Sequence, residues 1–599
     1  MYRLCENTLA SYAGDVLPLY FDGEELPQQV QWSVQGGCVR LRGFAGEEPD
    51  CFAHGVLVTL LCPGEAKILA EANGEVYTCC VRVRPRRTDS PAALLRPWCA
   101  DLHTHTTEDH NHDRVAACGG GLAAALTESQ RQSGAVDCGV ITDHAAVTNR
   151  RLFFAGFCAA QKSGHTVFAG SESEAEILGT DRYGLPHKYA GEMVALNTDR
   201  YICADNWPDF LDAFAESPAA VGVLSHPYVM GWSQRSIWDF RFHENAARPV
   251  FRHVVCGNEM DNGTGSSTRP LYQYAYSLAL DSGMRLAPCC NSDSHGAYQP
   301  CPGKTMILSS ENSRELLLDA LLARRFYACQ SGAVALDMTV NGCRMGETLP
   351  AAQEYRFCIK TSLLRPEADA APVRCEVISD HGLTVRDAPF DTAEEFILRS
   401  DTARYFYLRL TDAAGRFTWS APVWTGRAFD DPAVQLRAVP LDKADFTARD
   451  ERRGCPAPEL ICDDPRQVWD AGAPSACITL DLGAERQVCA VGHIAPPLHE
   501  MSPGDAEGLR TAVMSFAGGY RILAGTDGEH YTLCRSGIIR NFGGEELLTF
   551  APVQARYIRF EVTDTVGRAV GGGAYDAAPV RIGELSVFTD PVLPAAAGR

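Results

Sequence analysis

No stretch of this 599-residue chain stays apolar and uncharged for the roughly 20 residues that a membrane-spanning helix needs, so no membrane partner is expected. None of its 24 cysteines forms a C-x-x-C pair, which argues against a structural zinc knot. The opening residues, Met1 to Asn7, lack the basic stretch and apolar core of a secretory signal. The expectation is a cytoplasmic protein with reduced thiols, in which residues such as Cys203, Cys256 and Cys358 serve as small buried hydrophobes. Positive charge is also scarce. A net charge of −21 speaks against nucleic acid and against an anionic membrane surface as partners. No G-x-x-x-x-G-K-S/T loop, G-x-S-x-G elbow or H-E-x-x-H helix is present, which removes three common routes to phosphate binding and hydrolysis. Hydrophobic content of 46% with 22% charged residues is that of a soluble globular protein, and the length suits about four domains.

What the chain has is histidine in one region. Of its 16 histidines, 11 fall between residues 103 and 295. Asp101-Leu102-His103-Thr104-His105-Thr106 places two imidazoles one residue apart, and alternate side chains of a strand share a face. Asp109, His110, His112 and Asp113 follow. Further on, Asp143-His144, His226 and Asp293-Ser294-His295 each come after an apolar, strand-like run. Strand C-terminal ends are where barrel enzymes place their chemistry. Imidazole and carboxylate together suit borderline metals such as zinc, manganese and iron.

The order and form of these motifs over roughly residues 96–330 resemble the PHP (polymerase and histidinol phosphatase) superfamily of metal-dependent hydrolases, in a branch similar to carbaryl hydrolases. The resemblance implies a distorted (β/α)7 barrel holding two or three divalent ions, zinc, manganese or iron. It carries over His103 and His105 from an H-x-H motif, His144 from a D-H motif, Glu172 as a bridging carboxylate, His226 from an H-P motif, and Asp293 and His295 from a closing D-x-H. The ligand that the family places five or six residues beyond H-x-H falls on His110, with His112 as the alternative. Glu192, in Gly191-Glu192-Met193-Val194-Ala195-Leu196, stands where the related branch has histidine. It is either a harder, anionic ligand or a solvated carboxylate at a strand end. Glu172, His226 and His295 are the candidate catalytic groups. Lys188, Arg235, Arg269 and Lys304 read as surface charges and are left outside the site. Gly119-Gly120-Gly121 reads as a turn before a helix.

Four further segments complete the expected organisation, a multidomain chain of α/β and all-β parts. Residues 1–94 alternate in short strands with an Asn73-Gly74 turn and resemble a bacterial Ig-like domain. Residues 95–331 hold the barrel. Residues 332–428 return to strands and resemble the β-sandwich that trails this branch. Residues 429–590 resemble discoidin-type (coagulation-factor C-type) modules, on Ile478 to Gly483, Tyr520 to Gly528, Ala555 to Phe560 and Ile582 to Phe588. That resemblance implies a glycan as a candidate partner. Residues 591–599 are expected to be a disordered tail. The functional expectation is a hydrolase, with phosphoesters favoured, in which a metal-activated water attacks a small anionic substrate. Two alternatives stand beside it: hydrolysis of a carbamate, ester or amide at the same metals, and a glycan-binding protein whose barrel is inert.

Overall fold

Short runs of apolar residues set the central sheet. Cys138–Ile141, Val221–Leu224 and Ala287–Asn291 are buried at every position, the pattern of strands covered on both faces. The computed structural model describes residues 2–23, 26–43, 54–106, 115–145, 150–180, 186–202, 207–227, 255–263, 269–281, 283–367, 369–382, 384–427, 439–462, 467–496, 514–539, 545–569 and 577–589. Strand outweighs helix throughout, in several sheets.

Seven strands surround the histidine region, in the spatial order Arg96–Ala100, Cys138–Ile141, Thr166–Thr180, Pro186–Leu196, Val221–Leu224, Val255–Asn262 and Ala287–Asn291. The ends of this path meet. Thr104–His105 runs parallel to Ser294–His295, Asp293 N donates to His103 O at 3.0 Å, and Gly296 N donates to His105 O at 3.1 Å. Helices Val115–Ser133, Arg150–Lys162, Trp207–Ala215 and Arg269–Asp281 lie between strands in the chain.

The expected (β/α)7 alternation needs correction. Thr166–Thr180 and Pro186–Leu196 pair antiparallel, and Pro186–Leu196 pairs antiparallel with Val221–Leu224. Antiparallel neighbours need no crossover helix, so this part of the ring is a β-hairpin. The reading of Gly119-Gly120-Gly121 as a turn is also corrected: all three lie within Val115–Ser133. Packing of that helix against Arg150–Lys162 outweighs the poor helix propensity of glycine.

The same sheet continues past the ring. Lys304–Ser309 joins Arg96–Ala100, then come Phe326–Cys329, Phe417–Trp419, Tyr405–Asp412, Pro372–Ile378 and Thr384–Pro389. Ala328 pairs with Trp419 and Cys329 with Thr418, so backbone hydrogen bonds span the sequence position near 331. The described strands between residues 2 and 84 form a four-stranded, a three-stranded and a two-stranded sheet around a shared core of Leu19, Phe21, Val58, Ile68 and Val81. Residues 439–589 form an eight-stranded sheet centred on two long strands, Ala476–Ile494 and Glu545–Val562. Of the cysteines read as buried hydrophobes, Cys256 is buried and Cys358 half-buried. Cys203 lies outside the described residues, as does the tail expected over 591–599. No described helix is long and apolar enough to cross a membrane.

Candidate metal centre

The site is assembled where strands end. The Thr104–His105 strand turns both imidazoles inward, and His103 and His105 are fully buried with ring centroids 4.9 Å apart. Asp143 holds that turn: its Oδ1 accepts from Thr106 N at 2.6 Å and its Oδ2 from Thr106 Oγ1 at 3.1 Å. His144 follows and forms a parallel bridge with Glu172 of the next strand. His226 follows Val221–Leu224, and Asp293 and His295 follow Ala287–Asn291. His226 and Asp293 have φ of +22° and +51°. Left-handed backbone at non-glycine residues costs on the order of 1–3 kcal/mol each and persists where surrounding structure holds it, commonly at functional sites.

Glu172 is the hub. Its Oε2 lies 2.9 Å from His103 Nε2, 3.4 Å from His105 Nε2 and 3.2 Å from His144 Nδ1, while its Oε1 lies 3.2 Å from His226 Nε2. Asp293 Oδ1 sits 3.1 Å from His105 Nε2 and 3.4 Å from His103 Nε2. Glu192 Oε2 is 3.2 Å from His226 Nε2. His295 stacks on His105 with centroids 4.2 Å apart. Three overlapping sets could each hold an ion: His105, His144 and His295; His103, His105, Glu172 and Asp293; and Glu172, Glu192 and His226. Around an ion with ligands at about 2.1 Å, neighbouring ligand atoms are roughly 3.0–3.4 Å apart, and the separations here match. His103 Nε2 and both oxygens of Glu172 are buried without a well-aligned hydrogen bond, although Nε2 and Oε2 are so close. Buried polar atoms left in that state are costly, and ions are the groups that would satisfy them.

Of the nine ligands expected, eight come together. The ninth, His110, lies outside the described residues, as do its alternative His112 and also Arg235. Lys304, read from the sequence as a surface charge, is instead buried, with its ammonium on the carbonyls of Cys301 and Gly303. Access is one-sided. The side chains of His144, Glu192 and His295 are 20%, 25% and 29% exposed, whereas those of His103, His105 and Glu172 show none, so the cluster opens to solvent over the first three.

The electrostatics are those of ligands awaiting cations. Burial opposes charge on His226, yet the Glu172, Glu192 and Asp293 carboxylates outweigh it and push the imidazole up to about 10. His103 is likewise held well above the usual imidazole range, against its burial, by Glu172, Asp293 and Glu259. Burial pulls Glu172 and Asp293 upward, but the surrounding imidazoles hold both well below the usual carboxylate range. Asp101, fully buried under the H-x-H turn, is raised by that burial even though Ser292, Lys304 and Tyr298 favour its charged form.

Glu259 is a residue that motif reading missed. It sits in Val255–Asn262, fully buried, with its carboxylate beneath His103 and His226. A lone glutamate inside a strand that is buried at every position, in Asn258-Glu259-Met260-Asp261-Asn262, is the signal that could have found it, although it lies within its strand whereas His226 and Asp293 lie just beyond theirs.

No family model matches the chain. A curated relative, an uncharacterized protein of Chlamydia pneumoniae, is 24% identical over 142 residues, 21% of this chain and 23% of its own length. The match thus spans less than a quarter of that relative. Solved structures similar to this chain include carbohydrate-binding β modules. A CBM32 module of Clostridium perfringens in complex with GalNAc-β-1,3-galactose is 15% identical and covers 25% of this chain and 99% of its own, with a TM-score of 0.20. The family 32 CBM of Clostridium perfringens NanJ in complex with galactose is 20% identical over 25% of this chain and 98% of its own, with a TM-score of 0.19. A GH29 fucosidase of Ruminococcus gnavus in complex with fucose is 18% identical over 24% of this chain and 26% of its own, with a TM-score of 0.19. At these scores the likenesses assign no function.

Proposed function

We propose that this chain is a metal-dependent hydrolase with a PHP-like centre, acting on a small anionic substrate, phosphate esters first among them. The observation that carries the reading is Glu172, whose two oxygens face His226 on one side and His103, His105 and His144 on the other. Glu172 would serve the ions held by two of the three ligand sets, and His105, His144 and His295 would hold a further one. His103, His105, His144, Glu172, Glu192, His226, Asp293 and His295 would hold the ions. When bound, they would supply Lewis acidity, a water deprotonated near neutral pH and positive charge for an anionic substrate.

The chain's own groups do the rest. The buried imidazoles and Glu172 keep bulk water out of the floor. Asp143 and the Asp101–Ser292 contact, at 3.0 Å, hold the H-x-H turn and the closing strand in register. His295 and His144, on the open face, would be the ligands that a substrate meets first.

Full-length protein purified without chelator should carry at least two transition-metal equivalents per chain, and His103→Ala with His105→Ala should lose them while the far-ultraviolet circular dichroism is retained. Turnover should then be screened on phosphate monoesters and diesters, carboxyl esters and carbamates. Hydrolysis confined to the last two moves the assignment to ester or carbamate chemistry at the same site. Wild-type protein that takes up no zinc or manganese when supplied with them, and turns over none of these substrates, sinks the enzyme reading and leaves the glycan role of residues 429–590, to be tested by galactose and N-acetylgalactosamine binding.

A further inference from the structure

Beneath the cluster, one carboxylate collects four polar partners. Glu259 Oε1 lies 2.9 Å from His103 Nδ1 and 2.8 Å from Asn291 Nδ2. Its Oε2 accepts from the backbone N–H of His226 at 2.6 Å and from Asn262 Nδ2 at 3.0 Å. Three of these partners, the His226 backbone and the two amides, are donors by chemistry or geometry, and nothing else reaches either oxygen among the contacts described. An ionised carboxylate, an acceptor at both atoms, satisfies all four contacts at once. His103 must then donate from Nδ1. Its other nitrogen faces Glu172 and Asp293, on the side where an ion would sit.

We infer that Glu259 is a positioning residue for the metal centre: one oxygen sets the tautomer and ring orientation of His103, and the other anchors His226 in its left-handed backbone. This rests on the metal-centre reading above and extends it to a residue that would touch neither ion nor substrate. Carboxylates behind metal-bound histidines act in this way generally, and their loss typically weakens metal binding about 10- to 100-fold. In this chain a single side chain serves two ligands that follow different strands, one from each of two sets that share Glu172.

Glu259→Gln is the sharp variant because its shape is unchanged. Its amide must turn an NH2 either toward His103 and Asn291 or toward His226 and Asn262, and in each case donor meets donor. The first orientation puts the His103 proton on Nε2, where an ion should sit. The second withdraws the acceptor from His226. Zinc affinity of the full-length chain, by chelator competition, should fall about 10- to 100-fold in Glu259→Gln. The visible spectrum of the cobalt(II)-loaded variant should change, with circular dichroism unaltered. Equal zinc affinity and an equal cobalt spectrum in the two proteins overturn the inference and leave the metal centre standing. A wild-type chain that takes up no zinc overturns both. Should Glu259→Gln fail to fold, the wild type decides. Nitrogen-15 spectra of the zinc-loaded, histidine-labelled protein, with the His103 signals assigned through His103→Gln, should show Nδ1 protonated and Nε2 on the metal. Zinc on Nδ1 overturns the inference.

Discussion

At the residue scale, the informative position is Glu192. Its side chain meets His226 and joins Glu172 in one candidate set, where a histidine would leave the site one charge less negative. Glu192→Gln should lower metal affinity, read by chelator competition. Glu192→His should shift preference from manganese toward zinc and move the alkaline rise of the pH–rate profile to lower pH, because more net positive charge then acts on the bound water. Unchanged metal content and pH profile in both variants would make Glu192 a solvated strand-end carboxylate. The protons on the imidazoles give a second prediction. In metal-free protein His226 is raised to about 10, above its unfolded value near 6.5. A raised folded value contributes stability that is complete below about 6.5 and disappears as pH climbs toward 10. Metal-free protein should therefore melt at falling temperatures across that window. Metal affinity should rise over the same interval as the competing proton leaves, and a melting temperature flat from pH 6.5 to 10 would contradict the cluster's electrostatics.

At the element scale, the hairpin of Thr166–Thr180 and Pro186–Leu196 carries both Glu172 and Glu192. It leans on Gly170, where an added Cβ would lie 2.0 Å from Ala195 O. That neighbour is backbone and cannot swing aside. Gly170→Ala should cost about 1–3 kcal/mol or more in denaturant unfolding and lower metal content with it, since the strands must part beside Glu172. An Ala variant of wild-type stability would mean that the strands are not so closely apposed. The H-x-H, D-H and D-x-H elements were legible because buried strands end abruptly in charged residues. The hairpin was not, since eleven residues of mixed apolar and polar character in Pro186–Leu196 suit either strand direction. The helix through Gly119-Gly120-Gly121 was hidden for a related reason: glycine has low local propensity, and the packing that overrides it is not local.

At the scale of the whole molecule, buried acids of the central unit hold the N-terminal sandwich. Asp199, fully buried, accepts from Arg40 Nε at 2.8 Å and Thr59 Oγ1 at 2.6 Å. Glu315 receives Arg84, the backbone of Arg87 and the Arg87 guanidinium. Asp199→Ala should lower stability by about 1–3 kcal/mol, discounted for the partial exposure of Arg40, while metal content stays unchanged. On the other side, one apolar cluster runs from Met193, Phe210 and Tyr276 through Tyr407 and Trp424 to Trp469, Phe516 and Ile582. No candidate ligand lies beyond residue 295. A chain ending at residue 430 should therefore retain metal and turnover of small soluble substrates, yet melt at a lower temperature for the apolar surface it uncovers. A folded truncation that loses its rate on small substrates would place part of the site in the C-terminal unit.

The candidate metal ligands came from the sequence: His103 and His105 by strand periodicity, which places alternate side chains on one face, and Glu172, Glu192 and the later motifs by their resemblance to a known family. The same holds for the charge that disfavours nucleic acid and for the β-rich flanks. Tertiary structure alone decided that Glu172 stands between two groups of imidazoles, that Glu192 turns inward to His226, that Glu259 supports both His103 and His226, and that one sheet runs on past the barrel region. Each of these depends on contacts between strands tens to hundreds of residues apart. Such contacts follow from the closure and register of the sheet, to which no local pattern in the chain is sensitive.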